Sequence, residues 1–384
     1  MKKIKILLKN NRIIYWGYNL IVSFILKIFS IFIKTDNMMI LFNSYGGQKY
    51  DDSPKAIYEY MLKSKKYNNY KMIWAIDNPN LLPRNTKYVK NNSIVFFITA
   101  LKSKYWVTNS SIERGLKFKQ KNTIYINTWH GSAFKFMGNE LKSSNTKFRV
   151  SKPDYFYAQS KYDVDVFSKA YDLNNDIIKI WGLPRNDELC CVNEDKIKKI
   201  KKSMNLPLEK KIILFAPTFR EYDYTNDGCF IAPPIDIKKW EKLLSNEYIV
   251  LFRAHYEINK VLNIKDNSFI YNMTDYPKLN DLMIISDILI SDYSSIMIDY
   301  SILERPIFCY AYDYEEYCKK RGLYVDLNKE LPNGICLNED KLLLSIKNCD
   351  YKIQSKKTKK FKSKFVEKCG DACSSIDKII KKEK

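Results

Sequence analysis

Twice along the chain, short and almost wholly apolar runs alternate with longer stretches of helical pattern. In the first series the runs are MMILFN (38–43), YKMIWAI (70–76), IVFFITA (94–100), KYWVTN (104–109), TIYINT (123–128), DYFYAQ (154–159) and IIKIWG (177–182). In the second they are IILFAPT (212–218), YIVLFR (248–253), SFIYN (268–272), DILISD (287–292), PIFCY (306–310) and LYVDL (323–327). A strand apolar on both faces has to be covered on both sides, so the pattern predicts α/β architecture with mainly parallel sheets between helices. Composition shifts at NEDKIKKIKKSMNLPLEKK, residues 193–211, which reads as a surface helix and connector. Two doubly wound, Rossmann-like halves joined near residue 205 follow from this, since 384 residues exceed the usual single domain.

The flanks differ from the two halves. The opening MKKIKILLKNNR is basic, and the apolar, aromatic segment after it has no small-residue cleavage site. Within that segment Asn19, Ser23, Lys27, Ser30 and Lys34 recur at helical spacing, leaving Trp16, Phe24, Phe29 and Phe32 on the wider face. The pattern predicts a helix lying on a membrane surface, with aromatic side chains toward lipid and lysines toward headgroups. At the other end KKTKKFKSKF has too few apolar positions for a domain and reads as a helical tail packed across the surface. The expected organisation is therefore a membrane-associated segment at 1–36, domains at 37–205 and 206–350, and a basic tail at 351–384. A formal net charge of +22 draws the chain to polyanions. No zinc-finger, RRM-like or basic-aromatic signature points to nucleic acid, so anionic lipid and an anionic polymer are the expected counter-charges. Nine cysteines without paired CxxC modules argue against structural zinc and for a reduced, cytosol-facing protein.

Only two histidines occur, His130 in INTWHGSAFKFMG and His255 in YIVLFRAHY. Each follows a predicted strand, where open α/β sheets place ligands, and one lies in each half, so both are expected at a common cleft. A histidine there is suited to take a proton from a hydroxyl or give one to a phosphate oxygen. Lys135, shortly after His130 and Gly131, is placed to meet a phosphate. Thr218 and Arg220 follow the IILF strand and offer a hydroxyl and a fork of donors for a diphosphate or carboxylate. Arg253 shares the strand end with His255 and is either a second phosphate contact or turned to the opposite side. In DILISDYSSIMIDYSILERP, Asp292 ends a strand and Ser294 with Ser295 opens a helix, a known form of phosphate cradle; Asp299 lies farther along. Nothing matches a P-loop or a dinucleotide glycine fingerprint. The DVD at Asp163–Asp165 sits in a helical pattern and is not read as a metal site, so neither metal nor cofactor is expected.

Read together, YGGQKYDDSPKAIYEYM, NTWHGSAFKFMG, WGLPRNDEL, FAPTFR, FRAHY and ISDYSSIMIDYSILERPIFCY resemble, in order and spacing, the CDP-glycerol glycerophosphotransferase family of teichoic acid enzymes. The resemblance covers nearly the whole chain after the N-terminal segment. It implies a GT-B-like pair of Rossmann-like domains facing a central cleft, peripheral attachment at the cytoplasmic face of the membrane, and a CDP-polyol donor between the domains. The acceptor implied is an undecaprenyl-diphosphate-linked precursor or the growing anionic polymer, with CMP released. On this chain the resemblance makes His130 the general base and His255 a donor-diphosphate contact, helped by Arg220, Ser294 and Ser295, with Asp292 and Asp299 as further site residues. Ser132 and Ala133 stand where the family has threonine and proline, and Tyr256 where it has proline. The alternatives are transfer from CDP-ribitol or another CDP-polyol, a nucleotide-sugar glycosyltransferase, and a noncatalytic membrane-attached polyanion-binding protein.

Overall fold

The computed structural model describes residues 12–141, 152–218, 220, 232–254 and 256–383. Strands β1 (Asp36–Asn43), β2 (Lys71–Ile76), β3 (Tyr88–Lys90), β4 (Ser103–Thr108), β5 (Ile124–Asn127), β6 (Tyr155–Ala158) and β7 (Ile178–Ile180) form one sheet in the order β3-β2-β1-β4-β5-β6-β7. Strands β8 (Lys211–Phe215), β9 (Tyr248–Phe252), β10 (Ile270–Asn272), β11 (Ile288–Ser291), β12 (Ile307–Tyr310) and β13 (Ile335–Cys336) form the other, in the order β10-β9-β8-β11-β12-β13. Every neighbouring pair is parallel. In each sheet the order of the strands reverses next to the first strand, which opens a crevice at the carboxyl ends of β1 and β4 and of β8 and β11. The chain thus has the two-sheet, GT-B-like architecture.

Two apolar runs are not strands. IVFFITA forms the helix Ile94–Lys102, because the Ser93 hydroxyl accepts the Phe96 amide at 3.1 Å and caps it. LYVDL makes a single antiparallel bridge, Lys135 to Leu323, and the last strand of the second sheet is instead Ile335–Cys336. The short strand Tyr88–Lys90 carries only one buried side chain, Val89, so it has no apolar run to announce it.

The connector helix Glu194–Ser203, capped by Asn193 on the Lys196 amide at 2.9 Å, sends Ile200 into the core of the second sheet. Beyond residue 350 the chain crosses back. The helix Tyr351–Phe365 packs Phe361 and Phe365 on the second core, and the helix Ser375–Lys382 seats Ile376, Ile379 and Ile380 among Ile40, Phe42 and Trp74 of the first. Burial of each isoleucine stabilises this return by about 1.5–3 kcal/mol. Asp187 fixes the turn between these helices by accepting the amides of Gly370, Ala372 and Cys373 at 3.1, 2.9 and 2.8 Å.

The N-terminal helix Arg12–Phe32 lies along the first domain. Leu26 is buried, and the Ser23 hydroxyl accepts the Lys117 amide at 2.9 Å. The polar stripe therefore divides: Ser23 faces the protein, while Lys27 and Lys34 are exposed. Trp16, Phe24, Ile31 and Phe32 are 66%, 65%, 78% and 81% exposed. Over Ile14–Phe32 the helix is long and apolar enough to cross a membrane.

Candidate active site

His130 sits just past β5, on a turn that its neighbours hold tightly. The Trp129 amide donates to Asn127 Oδ1 at 2.9 Å, and Trp129 has a φ of 50°, a left-handed conformation that costs a bulky residue energy. The Trp129 and His130 rings lie 4.0 Å apart. His130 Nδ1 is 2.9 Å from the Asn109 carbonyl oxygen. A carbonyl only accepts, so Nδ1 carries the proton and Nε2 keeps its lone pair. Burial lowers the pKa of the ring below its ordinary value; the bond to Asn109 and the charge of Asp52 oppose that shift without cancelling it. His130 is thus a neutral imidazole with an unprotonated Nε2 at neutral pH, which is what a general base requires.

A cavity of about 690 Å³ between the two domains is lined by His130, Tyr45, Asp52 and Arg185 on one side and by Arg253, Ser294, Ser295 and Asp299 on the other. Gly131 makes the approach possible. Its φ is +133°, and a Cβ there would lie 3.0 Å from Arg185 Nη2 and 3.2 Å from Ser295 Oγ. Ser295 precedes the short helix Ile296–Tyr300, and the Ser294 hydroxyl accepts the Ile296 amide at 3.3 Å. Part of the expected helix-start cradle is therefore used internally, while Ser294 and Ser295 both line the cavity. Arg253, half-buried, donates to the Met273 carbonyl at 3.3 Å and to the Tyr276 carbonyl, so its guanidinium is braced at the cavity wall.

Four expected ligand contacts lie elsewhere. Lys135 does not line the cavity: its backbone bridges to Leu323, with Phe136 donating to Gly322 at 3.1 Å and Tyr324 to Phe134 at 2.7 Å. Arg220 is 1% exposed and fully engaged. It donates to Asp313 Oδ2 and Oδ1 at 2.7 and 2.9 Å, to Asp292 Oδ2 at 2.8 Å and to the Thr218 carbonyl at 2.6 Å, and it stacks on Tyr293 and Tyr317. Asp292, 2% exposed, also accepts the Thr218 amide at 2.9 Å. Thr218, Arg220 and Asp292 thus brace the carboxyl ends of β8 and β11 and are not among the residues lining the cavity; the buried charges are tolerated because they are paired. Asp299 lines the cavity but holds Arg185 and Asn186, each at 2.7 Å. His255 lies outside the described residues.

Tyr45, Asp52 and Arg185 were not singled out by their chemistry, although YGGQKYDDSP and WGLPRNDEL carry them among the strings that show the resemblance. Arg185 Nη1 donates to Asp52 Oδ2 at 2.6 Å and to the His130 carbonyl at 2.8 Å, and Tyr45 Oη donates to Asp52 Oδ2 at 2.7 Å. Burial disfavours the Arg185 charge, and Asp299 with Asp52 more than compensates, raising its pKa. Behind the site, the Asn186 amide donates to Gln159 at 3.1 Å and Gln159 to the Ser132 hydroxyl at 3.1 Å. Ser132 thus points into the protein. Asp163, buried in the same place, has its carboxyl pushed up to about 7 by burial while accepting the Gln159 amide at 2.8 Å. Among the described residues no cluster of three or more His, Cys, Asp or Glu is placed to hold a metal ion.

Two parallel-sheet domains that bring a neutral histidine from one side against cations and hydroxyls from the other define a GT-B-like transferase site. Residues 25–379 match the family described as CDP-glycerol:poly(glycerophosphate) glycerophosphotransferase, and the chain belongs to it. A teichoic acid poly(glycerol phosphate) polymerase of Staphylococcus epidermidis is 34% identical over 376 residues, covering 91% of this chain and 52% of that one, so the chain spans about half that relative's length. A polymerase of the same description from Bacillus spizizenii is 32% identical over 370 residues, covering 91% and 92%. The solved structure of the wall teichoic acid polymerase TagF superposes with a TM-score of 0.80 at 33% identity, covering 91% of this chain and 90% of that one.

Proposed function

We propose that this chain transfers glycerol phosphate from CDP-glycerol to a hydroxyl of a teichoic-acid-like polymer or its lipid-linked precursor, releasing CMP. The observation that carries the reading is His130: a half-buried imidazole with its tautomer fixed by Asn109, lining a cavity whose other wall presents Arg253, Ser294 and Ser295. The acceptor oxygen attacks the β-phosphorus of the donor, and its proton passes to His130 Nε2. As the new O–P bond forms, the bond to the bridging oxygen breaks and CMP leaves with the electron pair. The rate comes from alignment and charge neutralisation, with the Arg253 guanidinium and the serine hydroxyls taking phosphate oxygens. Family membership and the similarity to glycerol-phosphate polymerases support glycerol over other polyols. A variant of TagF soaked with CDPG, with a TM-score of 0.79 to this chain, supports the same donor.

The test is transfer from CDP-glycerol labelled separately at each phosphorus, with lipid-linked precursor as acceptor. β-label is expected in the polymer and α-label in CMP. Label that moves only from CDP-ribitol would replace the donor, and a product that gains sugar without phosphorus would make the protein a glycosyltransferase.

The same reading places the protein peripherally on the cytoplasmic face of the membrane, with the exposed side of the helix Arg12–Phe32 in contact with anionic lipid. Two features support it: the exposed aromatic and aliphatic face, and the hold of the domain on Ser23 and Leu26, which keeps the helix lying flat. The intact protein is expected to sediment with vesicles containing phosphatidylglycerol, and a Trp16→Ser, Phe24→Ser, Phe32→Ser variant to stay in the supernatant with an unchanged melting temperature. Equal sedimentation of both proteins would assign attachment to another surface.

A further inference from the structure

Arg185 touches both domains and the turn that carries the base, and nothing in the reaction as written above uses it. Its guanidinium joins Asp52 of the helix Asp52–Leu62, the backbone carbonyl of His130, and Asp299 of the helix Ile296–Tyr300, at 2.6, 2.8 and 2.7 Å. The two carboxylates are 3% and 6% exposed and the arginine side chain 16%. Three further observations concern the same point. Asp52 itself has a φ of +64°, so the acceptor that Arg185 uses is presented from a strained backbone, as is the Trp129 turn beside His130. Tyr45 donates to the same oxygen of Asp52, and its own amide is held by Asn109, the residue whose carbonyl fixes the His130 tautomer. Gly131 leaves room for the guanidinium, since a Cβ would come 3.0 Å from Nη2.

We infer that Arg185 is a positioning residue that sets the His130 turn in register with the donor side of the cleft, with Asp52 orienting it from the first domain and Asp299 anchoring it to the second. A planar fork can serve three acceptors at once, two carboxylates and a carbonyl, whereas an ammonium on a flexible stem cannot hold all three in one geometry. The side chain acts through the placement of His130 Nε2 relative to the serines of the second domain, and it bears on the step that depends on that distance. This inference rests on the transfer reaction proposed above.

The experiment is Arg185→Lys, which keeps the charge among the buried carboxylates and removes the fork. A displacement on the order of 1 Å can cost about 100-fold in rate, so kcat for transfer is expected to fall by roughly 10–100-fold. KM for CDP-glycerol should change by less than about threefold, since uniform donor binding is not what is lost. A rise in KM with kcat intact would make Arg185 a donor contact and overturn the inference; so would unchanged kinetics in a folded variant. A second readout is independent of the donor: the rate at which diethylpyrocarbonate modifies His130, followed by peptide mapping with His255 as internal reference. Faster modification of His130 relative to His255 is expected in Arg185→Lys, because the turn has lost one of its supports. An unchanged ratio overturns the positioning role. If the wild-type protein turns over neither CDP-glycerol nor CDP-ribitol, the proposed function fails, and the modification ratio still decides whether Arg185 holds the turn.

Discussion

His130→Asn is expected to lower kcat for glycerol phosphate transfer by about 100- to 10,000-fold, the range that a positioned general base contributes. Asparagine is the informative substitution, because its amide can still donate to the Asn109 carbonyl that His130 Nδ1 engages at 2.9 Å. Alanine would leave that carbonyl without its donor at a cost of about 1–3 kcal/mol, so a loss of activity in alanine alone would mix catalysis with stability. With asparagine, near-native melting and near-complete loss of transfer belong together. Retention of more than a tenth of the wild-type kcat would remove His130 from the reaction. The pH profile supplies a second check whose sign follows from the site. Burial lowers the ring's pKa from the ordinary 6.5, against the opposing effects of the Asn109 bond and the Asp52 charge. The neutral form is the active base, so activity should rise with pH through an apparent pKa below 6.5 and be level above it. That acidic limb should vanish in His130→Asn. A limb centred above 6.5 in the wild type would mean that another group controls the reaction.

The fold was legible because its central strands are apolar on both faces. The β8 run IILF and the β11 run ILIS are each flanked by covered neighbours, and their composition needs no partner to be recognised. IVFFITA has the same composition and is a helix, since a short apolar run does not state its period; the Ser93 cap was the local signal that separates the cases. The lining of the cavity was legible where it follows from position after a strand, as for His130 and Ser295. It was not legible where it follows from pairing across the fold. Arg185 meets Asp52 and Asp299 across 133 and 114 residues of sequence, and a proline-arginine pair opening the 3-10 helix Pro184–Leu189 carries no sign of either. Lys135 shows the converse. It lies close to His130 in sequence, yet the bridge to Leu323 of the second domain takes its backbone away from the cavity. Arg220 looked like a phosphate ligand for the same reason as Thr218, a polar group beyond a strand, and its guanidinium is engaged by Asp313, 93 residues on.

Replacing that arginine separates the two roles. Arg220→Met is expected to destabilise the protein by about 3–5 kcal/mol, because it leaves charged partners buried and unpaired. Asp292 and Asp313 are the partners, with side chains 3% and 10% exposed. For a domain of this size that corresponds to a fall in melting temperature on the order of 10 °C. CDP-glycerol should still raise the melting temperature of the variant as long as it is folded, since the guanidinium is spent on Asp292, Asp313 and the Thr218 carbonyl. A direct donor contact predicts the reverse: an unchanged melting temperature and loss of the donor-induced shift. Arg220→Met combined with Asp292→Asn and Asp313→Asn tests the physical cause. Removing the stranded charges should recover part of the lost stability, although methionine supplies no hydrogen bonds to the amides. If the triple variant is no more stable than the single one, the cost lies instead in lost stacking of the guanidinium on Tyr293 and Tyr317, whose rings it covers at 4.7 and 5.2 Å. In either case Arg220 supports the carboxyl ends of β8 and β11 at the point where the strand order of the second sheet reverses, and the second domain's side of the cleft inherits its shape from that support.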